Sequence, residues 1–323
     1  MKVSQSWLSD WVKTPLKSEA LAEKLTLAGL EVDEISPASG IFTGVFVADV
    51  LATRAHPKAD KLTICTVDVG EQAPVQIVCG ASNVRAHLKV ALARPGADLP
   101  GGMHIEATTL RGESSEGMIC SSPELGLEES AEGILELPAD APVGMSLHEY
   151  LSLDDQILMI ELTPNRADCF SMRGIAREVA ALTGVAFNTP EIKAVPHTID
   201  GADACVGVQV AEKAACPAYA LRLIRGINTA AETPLWMKER LRRGGIRPIH
   251  PVVDVTQYIM LEFGQPMHAF DASTITGDIQ VRLSQKGEQL ILLDGQEVTF
   301  EAGVLLIADE NKPLAIAGVM GGL

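Results

Sequence analysis

The spacing of apolar residues changes period several times along the chain, and each change marks a part. Leu21, Leu25 and Ala28 share one helical face, with Ser18 placed to cap that helix and Gly29 to end it. Residues 31–35 then alternate as a strand does. From about Gly40 to Leu151 the period shortens to two. Phe46, Ala48 and Val50 alternate with Val47 and Asp49, while Cys65, Val67 and Val69 alternate with Thr66 and Asp68. Further short runs at 75–79, 89–93, 105–109 and 133–137 are set apart by Gly and Pro, which predicts a small closed β-barrel. Helical spacing returns after 152, with a strand over 153–162, a polar loop over 163–169, and a helix with Ile175, Val179 and Leu182 on one face and Gly184 at its end. Asn165, Arg166 and Asp168 read as groups that lock the loop and cap this helix.

Beyond 196 the pattern predicts strands over 206–211 and 218–227. A helix over 234–247 has proline in its first turn and glycines at its end. Val252, Val255, Ile259 and Phe263 are spaced to form the buried face of a second helix, which Gly264 and Pro266 stop. Strands at 279–283, 288–293 and 303–308 follow, and Asp294-Gly295 is a hairpin signal.

Composition adds bounds. A chain of 323 residues that is 47% hydrophobic is long enough for two or three domains. No apolar run reaches the roughly 18 residues of a membrane helix, and 1–7 lacks a basic region followed by an apolar one, so a cytoplasmic protein is expected. Six scattered cysteines without a C-x-x-C pair, and no H-E-x-x-H, predict reduced thiols and no metal site. A net charge of −16 argues against non-specific nucleic-acid binding through the whole surface, though not through a local basic patch.

Such patches occur in the predicted barrel. Arg54, Lys58 and Lys61 flank His56 in one loop, while Arg85 and Arg111 stand beside small, turn-forming residues, Ser115 among them. They read either as solvated loops or as phosphate contacts. Five basic residues and one acidic between Trp236 and Arg247 pose the same choice on a helix. His268 follows the Gly264 turn among Met267, Ala269 and Phe270. It is either a core histidine bonded to Asp271 or a backbone carbonyl, or a polar group at the lip of an apolar pocket. Local spacing leaves both open.

Two stretches around these residues, Val-Val-Asp-Val-Thr-x-Tyr over 252–258 and Gly-Gln-Pro-Met-His-Ala-Phe-Asp over 264–271, resemble the signature of the editing domain of bacterial phenylalanyl-tRNA synthetase beta subunits. The barrel runs HP-x-ADKL, VCGA-x-N and RG-x-x-S-x-GM-x-CS resemble that family's tRNA-binding OB domain, and TPNR-x-D resembles a structural element of its N-terminal domain. Gln257 stands where the family usually has Asn and reaches one methylene further.

The resemblance implies an α+β, multidomain chain. A small α/β domain of residues 1–38 plus 152–196 carries an inserted OB-fold barrel, 39–151, and is followed by a mixed α/β editing domain, 197–323, cut short at its C-terminal end. It implies tRNA(Phe) binding through Arg54, Lys58, Lys61, Arg85, Arg111 and Ser115, and hydrolysis of mischarged Tyr-tRNA(Phe) by His268, Thr256 and Gln257. Ala317, Gly318, Gly321 and Pro266 would shape the editing pocket, with a cavity for a phenol ring between His268 and the glycines. A second site that grips the tyrosine hydroxyl rejects phenylalanine better than a phenylalanine pocket rejects tyrosine. With no HIGH, KMSKS or P-loop motif here, ATP and Mg are expected to serve the complete enzyme on an alpha subunit, in a complex of two alpha and two beta chains. This part is expected to bind no cofactor, DNA or membrane. The competing expectation is a non-catalytic tRNA-binding and assembly module with an inert third domain.

Overall fold

The computed structural model describes residues 1–196 and 206–323. The start of the expected third domain, with Cys205, lies outside the described residues. Contacts divide the chain into two compact units, Met1–Asn188 with Pro234–Arg247, and Thr189–Thr233 with Pro248–Leu323. The backbone thus enters the second unit, returns to the first for one segment, and leaves again.

In the first unit, strand Gln156–Glu161 pairs antiparallel with Lys2–Ser4 on one edge and Glu31–Pro37 on the other, joining segments far apart in sequence. Helix α1, Ser18–Leu27, buries Leu21, Ala22 and Leu25. Ser18 does not cap it. Lys17 holds the cap position, and the Ser18 hydroxyl donates instead to Gln5 Oε1 at 2.7 Å. Helix α2, Met172–Thr183, is capped by Ser171, whose hydroxyl accepts from Gly174 N at 3.0 Å. The capping expected of Asn165 and Asp168 is therefore supplied elsewhere. Arg166 still locks the loop, bonding Asp168 at 3.2 Å and Glu178 at 3.0 Å.

The barrel is built on the long strand Val45–Ala55. It pairs with Thr63–Asp68 on one side and Leu88–Ala93 on the other. Val75–Cys79 extends the first flank, while Met118–Ile119 and Glu136–Leu137 both pair with Leu88–Ala93. Between the two edges, Glu116 N donates to Gln76 O at 2.9 Å and Val78 N to Ser115 Oγ at 3.0 Å, so the sheet is nearly closed. One face buries Ala48, Val50, Val67, Ile77, Val90 and Leu92 completely, as the alternation predicts, while Val47 on the opposite face is buried in a separate cluster with Phe42 and Leu147. The strand expected at 105–109 forms instead over Thr108–Leu110, paired with Glu113–Ser115. Ile105 is taken up by an irregular loop, where its N–H donates to Ala97 O and its carbonyl accepts from Gly96 N.

In the second unit, five strands run in the order Val208–Val210, Ile279–Leu283, Leu305–Ala308, Pro313–Ile316 and Met320–Gly321. The first pair is parallel and the others antiparallel. The Asp294-Gly295 turn joins Gln289–Ile291 to Glu297–Thr299, and Gly295 takes the positive φ of 84° that the turn needs. The strand expected at 218–227 does not form. Its Leu221, Ile224 and Ile227 are exposed, and among the described residues no strand lies beside it to complete a ladder.

Two helices complete the chain, α3, Leu235–Arg243, and α4, Pro251–Phe263. The expected buried face of α4 is not the observed one. Asp254, Leu261 and Glu262 are buried, while Val255 is 45% exposed. At 100° per residue these faces differ by roughly a third of a turn. The reason lies in Asp254, which is 1% exposed. Its carboxylate accepts from Ile249 N at 2.8 Å and from the Thr233 hydroxyl, and those bonds turn its own side of the helix inward.

Candidate functional site

The basic loops of the barrel are organised by His56. This buried imidazole accepts from Lys58 N through Nδ1 at 3.1 Å, which leaves Nε2 to donate to Leu110 O, also at 3.1 Å. It thereby pins the 56–62 loop to the tight turn at Arg111 and Gly112, both with positive φ. Lys58 Nζ lies 3.4 Å from the place a Gly112 Cβ would occupy. Arg54, Lys58 and Arg111 thus gather around one hairpin, with Lys61 exposed on the same loop as Lys58.

Their charges are not equally free. Arg54 pairs with Glu113 at 3.0 Å, and Arg85 forks onto both oxygens of Glu136 at 2.8 Å, on a different segment of the barrel. That guanidinium holds the Glu136 carboxyl below its ordinary range. Lys58, Lys61 and Arg111 make no ion pair among the described residues. Ser115 departs from the expected role. It is 2% exposed, accepts from Val78 N and donates to Gly117 O at 3.0 Å, so it belongs to the barrel wall and presents nothing to a ligand.

In the second unit, Gly264 ends α4 with φ of 81°, its N–H bonded to Met260 O at 2.9 Å. The chain then carries His268 to the strand Met320–Gly321. A Cβ built on Gly321 would stand 2.3 Å from His268 Cε1 and 3.0 Å from Leu293 Cδ1, so the ring requires glycine there. The Phe270 ring lies 4.6 Å from the imidazole, centroid to centroid, at 57°. Among the described residues no hydrogen bond joins Asp271 to His268; the Asp271 carboxylate accepts from Ser273 N and Oγ. His268 remains exposed, but desolvation by its neighbours lowers its pKa from the ordinary histidine value and so disfavours the cation.

The cavity expected between His268 and the glycines takes another form. Imidazole and Gly321 are in contact, leaving no space between them for a ring, so a ligand at this site must lie beside that contact. Gly318 sits at an exposed turn, φ 71°, with open space around it, while Ala317 packs against the sheet's apolar cluster. Pro266 is exposed, its carbonyl accepting from Gln265 Nε2. The Thr256 hydroxyl donates to Val253 O at 2.7 Å, which leaves its lone pairs for a ligand, and Gln257 is half-buried. No hydrogen bond joins Thr256 or Gln257 to His268 among the described residues. Sequence reasoning did not place Phe270 or Leu293 in the site.

The cationic helix α3 is docked rather than solvated. Arg243, 7% exposed, pairs with the fully buried Asp155 at 3.0 Å and donates to Leu151 O at 2.6 Å. Arg242 donates to Ala38 O at 2.8 Å and Leu127 O at 3.2 Å, and Arg240 pairs with Asp10 and lies over the rings of Trp7 and Trp236.

Two family models match the chain. "Putative tRNA binding domain" covers residues 45–146 and "B3/4 domain" covers 215–323. The phenylalanine–tRNA ligase beta subunit of Legionella pneumophila (strain Lens) is 58% identical over 322 residues, all of this chain and 40% of that protein. The proteins of the same name from Haemophilus influenzae (strain 86-028NP) and Coxiella burnetii (strain RSA 493 / Nine Mile phase I) are each 51% identical over the same shares. Among solved structures, the C-terminal domain of Plasmodium vivax p43 is 26% identical over 31% of this chain and 56% of its own, with a TM-score of 0.24, too low to assign a fold. With both domains matched and half or more of its residues shared with each of these relatives, the chain belongs to the family of phenylalanine–tRNA ligase beta subunits, aminoacyl-tRNA synthetase subunits of whose length it spans about 40%.

Proposed function

We propose that this chain serves, as part of a cytoplasmic phenylalanine–tRNA ligase, to bind tRNA(Phe) and to hydrolyse Tyr-tRNA(Phe), with two such chains supporting two alpha subunits that attach phenylalanine using ATP and Mg. The observation that carries the editing reading is the His268 imidazole seated on Gly321, exposed and flanked by Phe270. A neutral imidazole there can hold a tyrosyl hydroxyl or orient a water, while Thr256 and Gln257 offer further polar contacts. Hydrolysis of an activated ester depends on a placed water more than on a strong nucleophile. Lys58, Lys61 and Arg111 are the cations left to meet phosphate in the barrel.

The full-length enzyme with its alpha subunit tests the reading by deacylation of Tyr-tRNA(Phe). His268→Ala is expected to reduce the rate by at least about tenfold, in keeping with removal of a positioned catalytic group, with Phe-tRNA(Phe) formation retained. Equal rates in the two proteins would favour the second reading, a tRNA-binding and assembly module with an inert B3/4 domain. What favours that second reading is the lack of a ring-sized space between His268 and Gly321, where one was expected. For the barrel, Lys58→Ala with Arg111→Ala is expected to weaken tRNA binding and to lower the salt slope by about 1 for each phosphate that is no longer neutralised.

A further inference from the structure

One end of the barrel is open as a cavity of about 400 Å³, within the size range of small-molecule sites. Its floor is apolar. Alternation puts the half-buried Phe46 on the face of Val45–Ala55 that carries Ala48 and Val50. Val69 and Leu92 extend the barrel's buried cluster to this point, with Val75 packed against it. Two charged side chains, Arg94 and Glu116, line the same cavity. Arg94 donates through Nη1 to Glu71 at 2.7 Å, which leaves the rest of its fork of donors for a ligand, and its guanidinium carbon stands 6.0 Å from the centroid of the Phe46 ring. The exposed Glu116 carboxylate makes no hydrogen bond or ion pair among the described residues. Phe46 stands near the first residue of Val45–Ala55 and His56 follows the last, so the cations gathered around His56 belong to the other end of that strand.

We propose that this open end of the barrel is a binding site for a free α-amino acid with a large apolar side chain. The side chain lies on Phe46, Val69 and Leu92, the α-carboxylate pairs with Arg94, and the α-ammonium pairs with Glu116. The rim selects this class. A guanidinium forks onto a carboxylate, and an unpaired carboxylate on the same cavity attracts an ammonium, so a zwitterion with an apolar tail matches every kind of group present. A nucleotide is the poorer match. Glu71 and Glu116 both line the adjoining cavity past Val75, and together they set two carboxylates against one guanidinium, which repels phosphate. The site lies wholly within the barrel and does not depend on the editing reading.

Amide hydrogen exchange on the full-length enzyme reads this end of the barrel apart from any other amino-acid site. The probes are L-phenylalanine and L-leucine, with phenethylamine, which lacks the carboxylate, and hydrocinnamate, which lacks the ammonium, as controls. Either amino acid is expected to slow exchange over 71–75 and 94–97, by about tenfold at about ten times its dissociation constant, while both controls at the same concentration leave it unchanged. Arg94→Gln and Glu116→Gln are each expected to lose this protection, with exchange over 88–92 in the absence of ligand the same as in wild type, which shows an intact barrel. His268→Ala is expected to keep the protection. Absence of protection by both amino acids, equal protection by either control, or protection that survives both rim substitutions would overturn the proposal. Protection by adenosine monophosphate in place of the amino acids would overturn it in favour of a nucleotide site.

Discussion

The barrel and the second unit are both rich in β-strand, yet they use their apolar residues differently. In the barrel a long strand has neighbours on both sides, and the nearly closed sheet buries Ala48, Val50, Val67, Ile77, Val90 and Leu92 in one cluster. In the second unit the buried residues fall into two small clusters on the sheet, around Val281 with Leu314 and around Phe300 with Leu306, while Val253, Val255, Met267 and Leu293 stay exposed. A closed sheet has an inside fixed by its geometry; an open one does not. The same hydrophobic pattern therefore specifies burial in one region and only permits it in the other.

The contrast can be broken most severely at the ion pair. Arg243→Ala leaves Asp155 buried without its counter-charge and is expected to destabilise the first unit by about 3–5 kcal/mol, measured by urea unfolding followed through the tryptophans. Leu92→Ala in the barrel is expected to cost about 2–5 kcal/mol. Gly321→Ala comes next, at about 1–3 kcal/mol, because its methyl group must displace the imidazole; NMR shifts at His268 should move with it. Val255→Ala on the open face of α4 is expected to change stability by under about 0.5 kcal/mol, and a cost like that of Leu92→Ala would show that this face is covered.

Titration separates the regions more gently. His268 is expected to protonate below the ordinary histidine value of about 6.5, because desolvation by its neighbours disfavours the cation. A depressed value means that its neutral form contributes stability fully above the unfolded value of about 6.5, lost as pH falls through the folded value; NMR of the imidazole protons reads the midpoint. Cys65 and Cys120, both pushed up to about 12 by burial, are expected to resist alkylation at pH 8 in the folded protein. Labelling of either at the rate of a free thiol would mean that the barrel opens.

Much of the barrel was legible in the sequence. Strand Val75–Cys79 was read at its observed bounds and Leu88–Ala93 one residue short, since alternation and turn residues act locally there. The strand Ile279–Leu283 was read equally well. The face of α4 was not, because an aspartate in an apolar run reads as the solvent side, and only the arrival of Thr233 and Ile249 makes it the inner one. The arginines of α3 were misread for the same reason. Their partners, Asp10, Asp155 and the carbonyls of Ala38 and Leu127, come from stretches of chain remote in sequence, which no local pattern reveals. In the candidate site the residue types at 268 and 321 came from the resemblance, but their direct contact is a matter of backbone path that no local pattern encodes.

The Ser115 hydroxyl has an outcome of its own for how copies of this protein meet. It occupies the Val78 amide that an open sheet margin would offer to a second molecule, so the barrel has one fewer place to nucleate intermolecular strand pairing. A single oxygen atom there both seals the wall and discourages fibre formation.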